Sequence, residues 1–178
     1  PDYDLDALEL LTQKKNRIIL VLENTKVPQK QFRSVLNGVL VQERDTYQET
    51  GGELKTVTEK EPDEDEIDDL LFANKIVKHS KSNAIVLAKD KQLIASGVGQ
   101  TSREDALKQA IEKAKSFDFD LKGAVMASDA FFPFNDCVEI AAEAGITAII
   151  QPGGSVRDTD SIEMANQKGV SMVTTGIR

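Results

Sequence analysis

Residues 124–151, AVMASDAFFPFNDCVEIAAEAGITAIIQ, decide the fold. Ala124–Ser128 is a strand-sized apolar run, and Asn135–Ala144 is helix-sized with apolar residues on one stripe. Thr147–Gln151 is a second buried run, with a glycine between the helix and this strand. Strand, helix, strand with short joints is the pattern of a parallel βαβ unit. Working outward, helix Thr159–Lys168 and strand Val170–Thr174 continue the alternation. Upstream lie strand Ala84–Ala88, a Lys89-Asp-Lys91 turn, strand Leu93–Gly97 and helix Arg103–Phe117. The last is the plainest helix, because Ala106, Leu107, Ala110, Ile111 and Ala114 share a stripe and Ser102 is a natural N-cap. Residues 82–178 therefore read as one α/β unit with a largely parallel sheet covered on both faces.

The N-terminal third is less regular. Leu5–Lys15 suits a short helix with Lys14 and Lys15 at its negative end. Arg17–Leu22 reads as a buried strand, and Phe32–Glu43 as another with Gly38 at a bulge or bend. Tyr47–Lys60 is polar and reads as a connection. Pro62-Asp-Glu-Asp-Glu66 opens a long helix running to about Lys78, with Ile67, Leu70, Leu71 and Val77 buried. We divide the chain into residues 1–60, an N-terminal portion, and 61–178, the core α/β unit.

Composition narrows the function. The chain has 178 residues, 40% hydrophobic and 29% charged, enough for one real core. No apolar run approaches the ~20 residues that span a bilayer. A single cysteine and no charged-then-apolar leader make a reducing cytoplasm the expected location. The net charge of −8 and the lack of a basic stripe argue against nucleic acid. A start at proline and a stop at what reads as a strand end suggest an excised piece. One histidine, His79, and one cysteine, Cys137, cannot assemble a zinc site or a Ser-His-Asp triad, so no metal is expected.

Ligands of α/β sheets sit outside the carboxyl ends of strands. Three loops fit that position: Gly97–Arg103, Ala127–Asp136 and Gln151–Asp158. In the first, glycines admit close backbone approach, and free amides with Arg103 offer positive potential to an anionic small molecule; the third has the same design of two glycines and a hydroxyl before a helix. Each reads equally as a tight turn, capped by Ser102 in one case and Asp158 in the other. Neither a Walker lysine nor GxGxxG spacing is present. The middle loop crowds Phe131, Phe132 and Phe134 between two acids, either as a core plug or as a stacking wall for a heterocycle.

Lys81-Ser-Asn-Ala84, Gly97-Val-Gly-Gln-Thr-Ser-Arg103, Met126-Ala-Ser-Asp-Ala-Phe-Phe-Pro-Phe-Asn-Asp136 and Gln151-Pro-Gly-Gly-Ser155 together resemble the bifunctional AICAR transformylase/IMP cyclohydrolase family of purine biosynthesis. The resemblance covers the whole chain and is weakest over residues 1–60. It implies the C-terminal subdomain of the transformylase half, a three-layer α/β/α, cytidine-deaminase-like subdomain with a mostly parallel sheet and no deaminase zinc. That half transfers a formyl group from 10-formyltetrahydrofolate, a co-substrate, to the amine of AICAR, and a separate cyclohydrolase domain closes the ring to IMP.

Carried over position by position, the resemblance implies AICAR contacts at Asn83, Arg103, Phe131 and Arg178, and folate contacts at Glu104, Asp136, Ser155 and Val156. It also implies a homodimer partner and a missing N-terminal subdomain, with exposed apolar surface where they pack. The family's catalytic Lys-His-x-Asn-Pro-x-Gly motif is absent here. Lys78-His79 is followed by Ser80-Lys-Ser-Asn and is not that motif. No catalytic residue is therefore expected in this segment, nor activity from it alone. A non-catalytic ligand-binding or regulatory module is the alternative.

Overall fold

The computed structural model describes residues 2–24 and 26–177. The chain divides into two compact units, residues 1–47 and 48–178.

The first unit holds helix α1 (Leu5–Thr12) and an antiparallel hairpin of β1 (Lys30–Val35) and β2 (Gly38–Glu43). Helix α1 stops short of Lys14 and Lys15, and Arg17 is the cation at its end, donating to the carbonyls of Leu10 and Leu11 at 3.4 and 3.0 Å. Arg17–Leu22 is not a buried strand. Among the described residues it pairs with no strand, and Ile18 is 84% exposed. Its apolar content is strand-like, but a strand is stable only where a neighbour takes its backbone groups. Phe32–Glu43 is two strands rather than one with a bulge. The chain reverses at Leu36-Asn37, Leu36 adopting φ 47°, and the alternation of side chains runs on through the turn and hides it.

The second unit is a six-stranded sheet in the order β3-β8-β7-β6-β4-β5. Its strands are β3 (Lys55–Thr56), β4 (Ile85–Lys89), β5 (Gln92–Gly97), β6 (Val125–Ser128), β7 (Ala148–Gln151) and β8 (Ser171–Thr174). The sheet is mixed. β6, β7 and β8 pair in parallel, whereas β4 runs antiparallel between β6 and β5, and β3 runs antiparallel to β8. Four strands, β5 to β8, still point the same way, and β4 is reversed because the β4–β5 connection is a tight hairpin. That hairpin turns at Asp90 and Lys91, both at positive φ, with the Asp69 carboxylate accepting their amides at 2.8 and 2.6 Å. β3 lies within the segment read as a mere connection; two residues give no periodicity, and it exists because β8 offers an edge.

Four helices cover the sheet: α2 (Glu64–Lys78), α3 (Arg103–Ser116), α4 (Asp136–Ala144) and α5 (Asp158–Lys168). Helix α2 alone packs one face, its Leu70, Ala73 and Val77 meeting Val86, Val125, Ile150 and Val173. The other three cover the opposite face over Ile85, Leu87, Met126, Ile149 and Met172. Alternate residues of each strand point to opposite layers, so the central strands carry apolar residues on both faces and the unit has three layers. Helix α2 begins two residues after Pro62, with Asp63 as N-cap in a reciprocal capping box with Glu66.

Candidate functional site at the carboxyl edge of the sheet

Because β5, β6, β7 and β8 share a direction, their following loops leave one edge of the sheet. The reversed strand β4 brings its preceding segment, Ser80–Ala84, to the same edge. Asn83 donates to the carbonyls of Gln100 and Thr101 at 3.0 and 3.2 Å, and its carbonyl oxygen accepts from Arg103 Nη2 at 3.1 Å. The peptide bond before Asn83 is cis.

Arg103 sits at the first position of α3, N-capped by Ser102, whose hydroxyl accepts the Asp105 amide at 3.0 Å. Its Nη1 donates to Asp129 Oδ1 at 2.5 Å and to Ser128 Oγ at 3.1 Å. The side chains are only 8% and 11% exposed. Asp129 also accepts the Ala84 amide at 2.9 Å and the Ser82 hydroxyl. Burial pushes the Asp129 carboxyl upward, but the Ser82 hydroxyl, the Ala84 amide and the Arg103 guanidinium outweigh it and hold it below the usual carboxylate range. Arg103 is thus not a bare cation awaiting an anion. Much of its hydrogen bonding ties the β4, β5 and β6 ends together, and the sequence reading missed the anchor, Asp129. Its signal is an acid directly after a buried strand, beside the phenylalanine block.

The phenylalanine block divides its labour. Phe132 is wholly buried and is the core plug, Phe131 is half-buried at the edge, and Phe134 is 53% exposed. The Arg157 guanidinium lies 4.9 Å over the Phe134 ring, linking the second and third loops. Asp136 opens α4 and accepts the Cys137 amide at 2.7 Å. Burial, then the Asp136 charge, pushes the Cys137 thiol up to about 12.

In the third loop Asp158 does not cap α5. It is the first helical residue, and its Oδ2 accepts the amides of Gly154 and Ser155 at 2.7 and 3.2 Å, so it fastens the loop. Ser155 accepts the Arg157 amide, and Val156 is fully exposed. Glu104 pairs with Lys108 on the surface of α3. Arg178 lies outside the described residues.

Asn83, Arg103 and Asp129 are brought together by direct bonds, and Ser155 and Val156 by the neighbouring loop. A cleft of about 880 Å³ lies elsewhere, at the other end of β5 and α3, lined by Leu93, Gln109, Lys113, Phe117 and Phe119. It shares none of these loops. Among the described residues no group of three or more His, Cys, Asp or Glu could hold a metal ion, and no helix is long and apolar enough to cross a membrane.

The profile of the AICARFT/IMPCHase bienzyme family matches residues 1–113. The chain belongs to this family. The bifunctional purine biosynthesis protein PurH of Bacteroides thetaiotaomicron is 72% identical over all 178 residues, and that of Persephonella marina 51% identical over 181. The chain spans about 35% of the length of these relatives. Solved structures similar to it include a Thermotoga maritima diaminohydroxyphosphoribosylaminopyrimidine deaminase/5-amino-6-(5-phosphoribosylamino)uracil reductase, with TM-score 0.43, 21% identity, and coverage of 60% of this chain and 34% of that one. A cyanophage S-TIM5 dCMP deaminase gives TM-score 0.42, 17% identity, and coverage of 56% and 88%.

Proposed function

We propose that this chain is the C-terminal subdomain of an AICAR transformylase and supplies substrate-orienting groups to formyl transfer from 10-formyltetrahydrofolate to the AICAR amine, in a parent that also carries IMP cyclohydrolase. The observation that carries this is the bonded cluster of Asn83, Arg103 and Asp129, which ties the segment before β4 to the first two loops at one sheet edge in a chain of this family. In this reading Asn83, Arg103 and Phe131 face the ribotide together with Arg178. Phe131, half-buried, suits stacking on an imidazole. Glu104, Asp136, Ser155 and Val156 face the folate, Glu104 and Val156 through their backbone amides.

The AICAR amine is a weak nucleophile, its lone pair delocalised into the ring. Transfer therefore needs a group to take its proton and another to protonate the leaving folate nitrogen. The family's Lys-His motif lies outside this segment, and among the described residues Cys137 stays a neutral thiol and Asp129 is a bound carboxylate, so neither is suited to these roles. Catalysis then needs the rest of the parent protein and a homodimer partner, in the cytoplasm. The partner is supported by the apolar residues that the hairpin leaves bare, Phe32, Val39, Leu40 and Val41.

Titration of the purified chain with AICAR and with a folate analogue, read by amide chemical shifts, tests the reading. Shifts confined to the three loops are expected. No response there would leave a structural domain, and turnover by the isolated chain would overturn its role as the non-catalytic part.

A further inference from the structure

Four buried side-chain atoms have no hydrogen-bond partner among the described residues: Arg103 Nε, Gln151 Oε1, Asp158 Oδ1 and Ser161 Oγ. The last three belong to one strand-loop-helix unit. β7 ends at Gln151, and α5 begins at Asp158 and returns along the sheet, so its first turn lies beside the end of that strand. Ile150 faces the α2 layer and Ile149 the opposite one. By alternation Gln151 follows Ile149, and its Nε2 meets the Met172 sulfur at 3.4 Å on that side. Asp158 and Ser161 are three residues apart on one helix face. Ser161 is fully buried, as is Ala165 a turn later, which marks the face that α5 turns toward the sheet. All three residues therefore lie where the end of β7 meets the first turn of α5, on either side of the 152–157 loop, and their free oxygens are buried there.

We propose that Gln151 Oε1, Asp158 Oδ1 and Ser161 Oγ bind one buried water molecule that sets the position of this loop. The balance of donors and acceptors points to it. An amide oxygen and a carboxylate oxygen can only accept, and water supplies two O–H donors. The Ser161 hydroxyl donates to the water oxygen, giving the three bonds usual for a buried water. A monovalent cation would also suit three oxygens, but the first turn of a helix disfavours positive charge. Asp158 is then held at both oxygens, Oδ2 by the Gly154 and Ser155 amides and Oδ1 by the water. This site stands whether or not the loop contacts a folate.

The test is a high-resolution crystal structure of the chain grown in rubidium salt, with amide hydrogen exchange in solution. One density peak within hydrogen-bond distance of all three oxygens, without anomalous signal from rubidium, is expected. The double variant Gln151→Met, Ser161→Ala should lose the peak, and its Gly154 and Ser155 amides should exchange on the order of tenfold faster while those of β6 hold. A rubidium signal, a direct bond from the Gln151 amide nitrogen to Asp158, or unchanged exchange in a folded double variant would overturn the proposal. If the double variant does not fold, density in the unaltered chain decides alone.

Discussion

Arg103 and Asp129 meet at 2.5 Å with little of either side chain exposed, and that geometry sets the cost of removing one partner. Arg103→Met leaves a buried carboxylate holding only the Ser82 hydroxyl and the Ala84 amide, so we expect a loss of about 3–5 kcal/mol, read from the urea midpoint. The pH dependence follows from the lowered Asp129 value. Its contribution is full above the ordinary carboxylate range and is lost as pH falls through the folded value. The stability gap between the native chain and Asp129→Asn should therefore be flat from about pH 7 to 5 and close below about pH 4. Cys137 gives an independent check. A thiol raised to about 12 by burial and the Asp136 charge is neutral and shielded, so iodoacetamide at about pH 8 should label it only after unfolding.

Among the elements, β5 and α3 approach so closely that a Cβ at Gly97 would sit 1.9 Å from the Ala106 carbonyl oxygen. Gly97→Ala must part strand from helix and should cost at least about 3 kcal/mol. Gly154→Ala meets nothing within 4 Å and carries only the strain of φ +95°, so about 1 kcal/mol is expected. Thermal melts of the two variants separate packing from backbone strain. Gly97 was read as a residue admitting a ligand, and the structure gives it a packing reason instead. Elements with a strong period were legible to within about a residue, as for α3, where the apolar stripe and the Ser102 cap agree. The hairpin at Leu36-Asn37 and the short strand β3 were not, because a turn that preserves alternation and a two-residue edge strand leave no periodic mark.

In the molecule as a whole, both apolar clusters lie within residues 48–178. Residues 48–178 alone should therefore unfold cooperatively at nearly the denaturant midpoint of the full chain; a loss of cooperativity in that shortened protein would show that the division at Tyr47 is not an energetic one. The sequence by itself determined the βαβ order, the helix stripes, the three loops and the family blocks, because each is a local pattern of side chains. Only the tertiary structure decided that β4 is reversed, that Arg17–Leu22 joins no strand among the described residues, and that Asp129 anchors Arg103. Strand direction and ion-pair partners depend on which distant segments meet, and Ala84 reaches Asp129 across 45 residues of chain, a separation that no local period encodes.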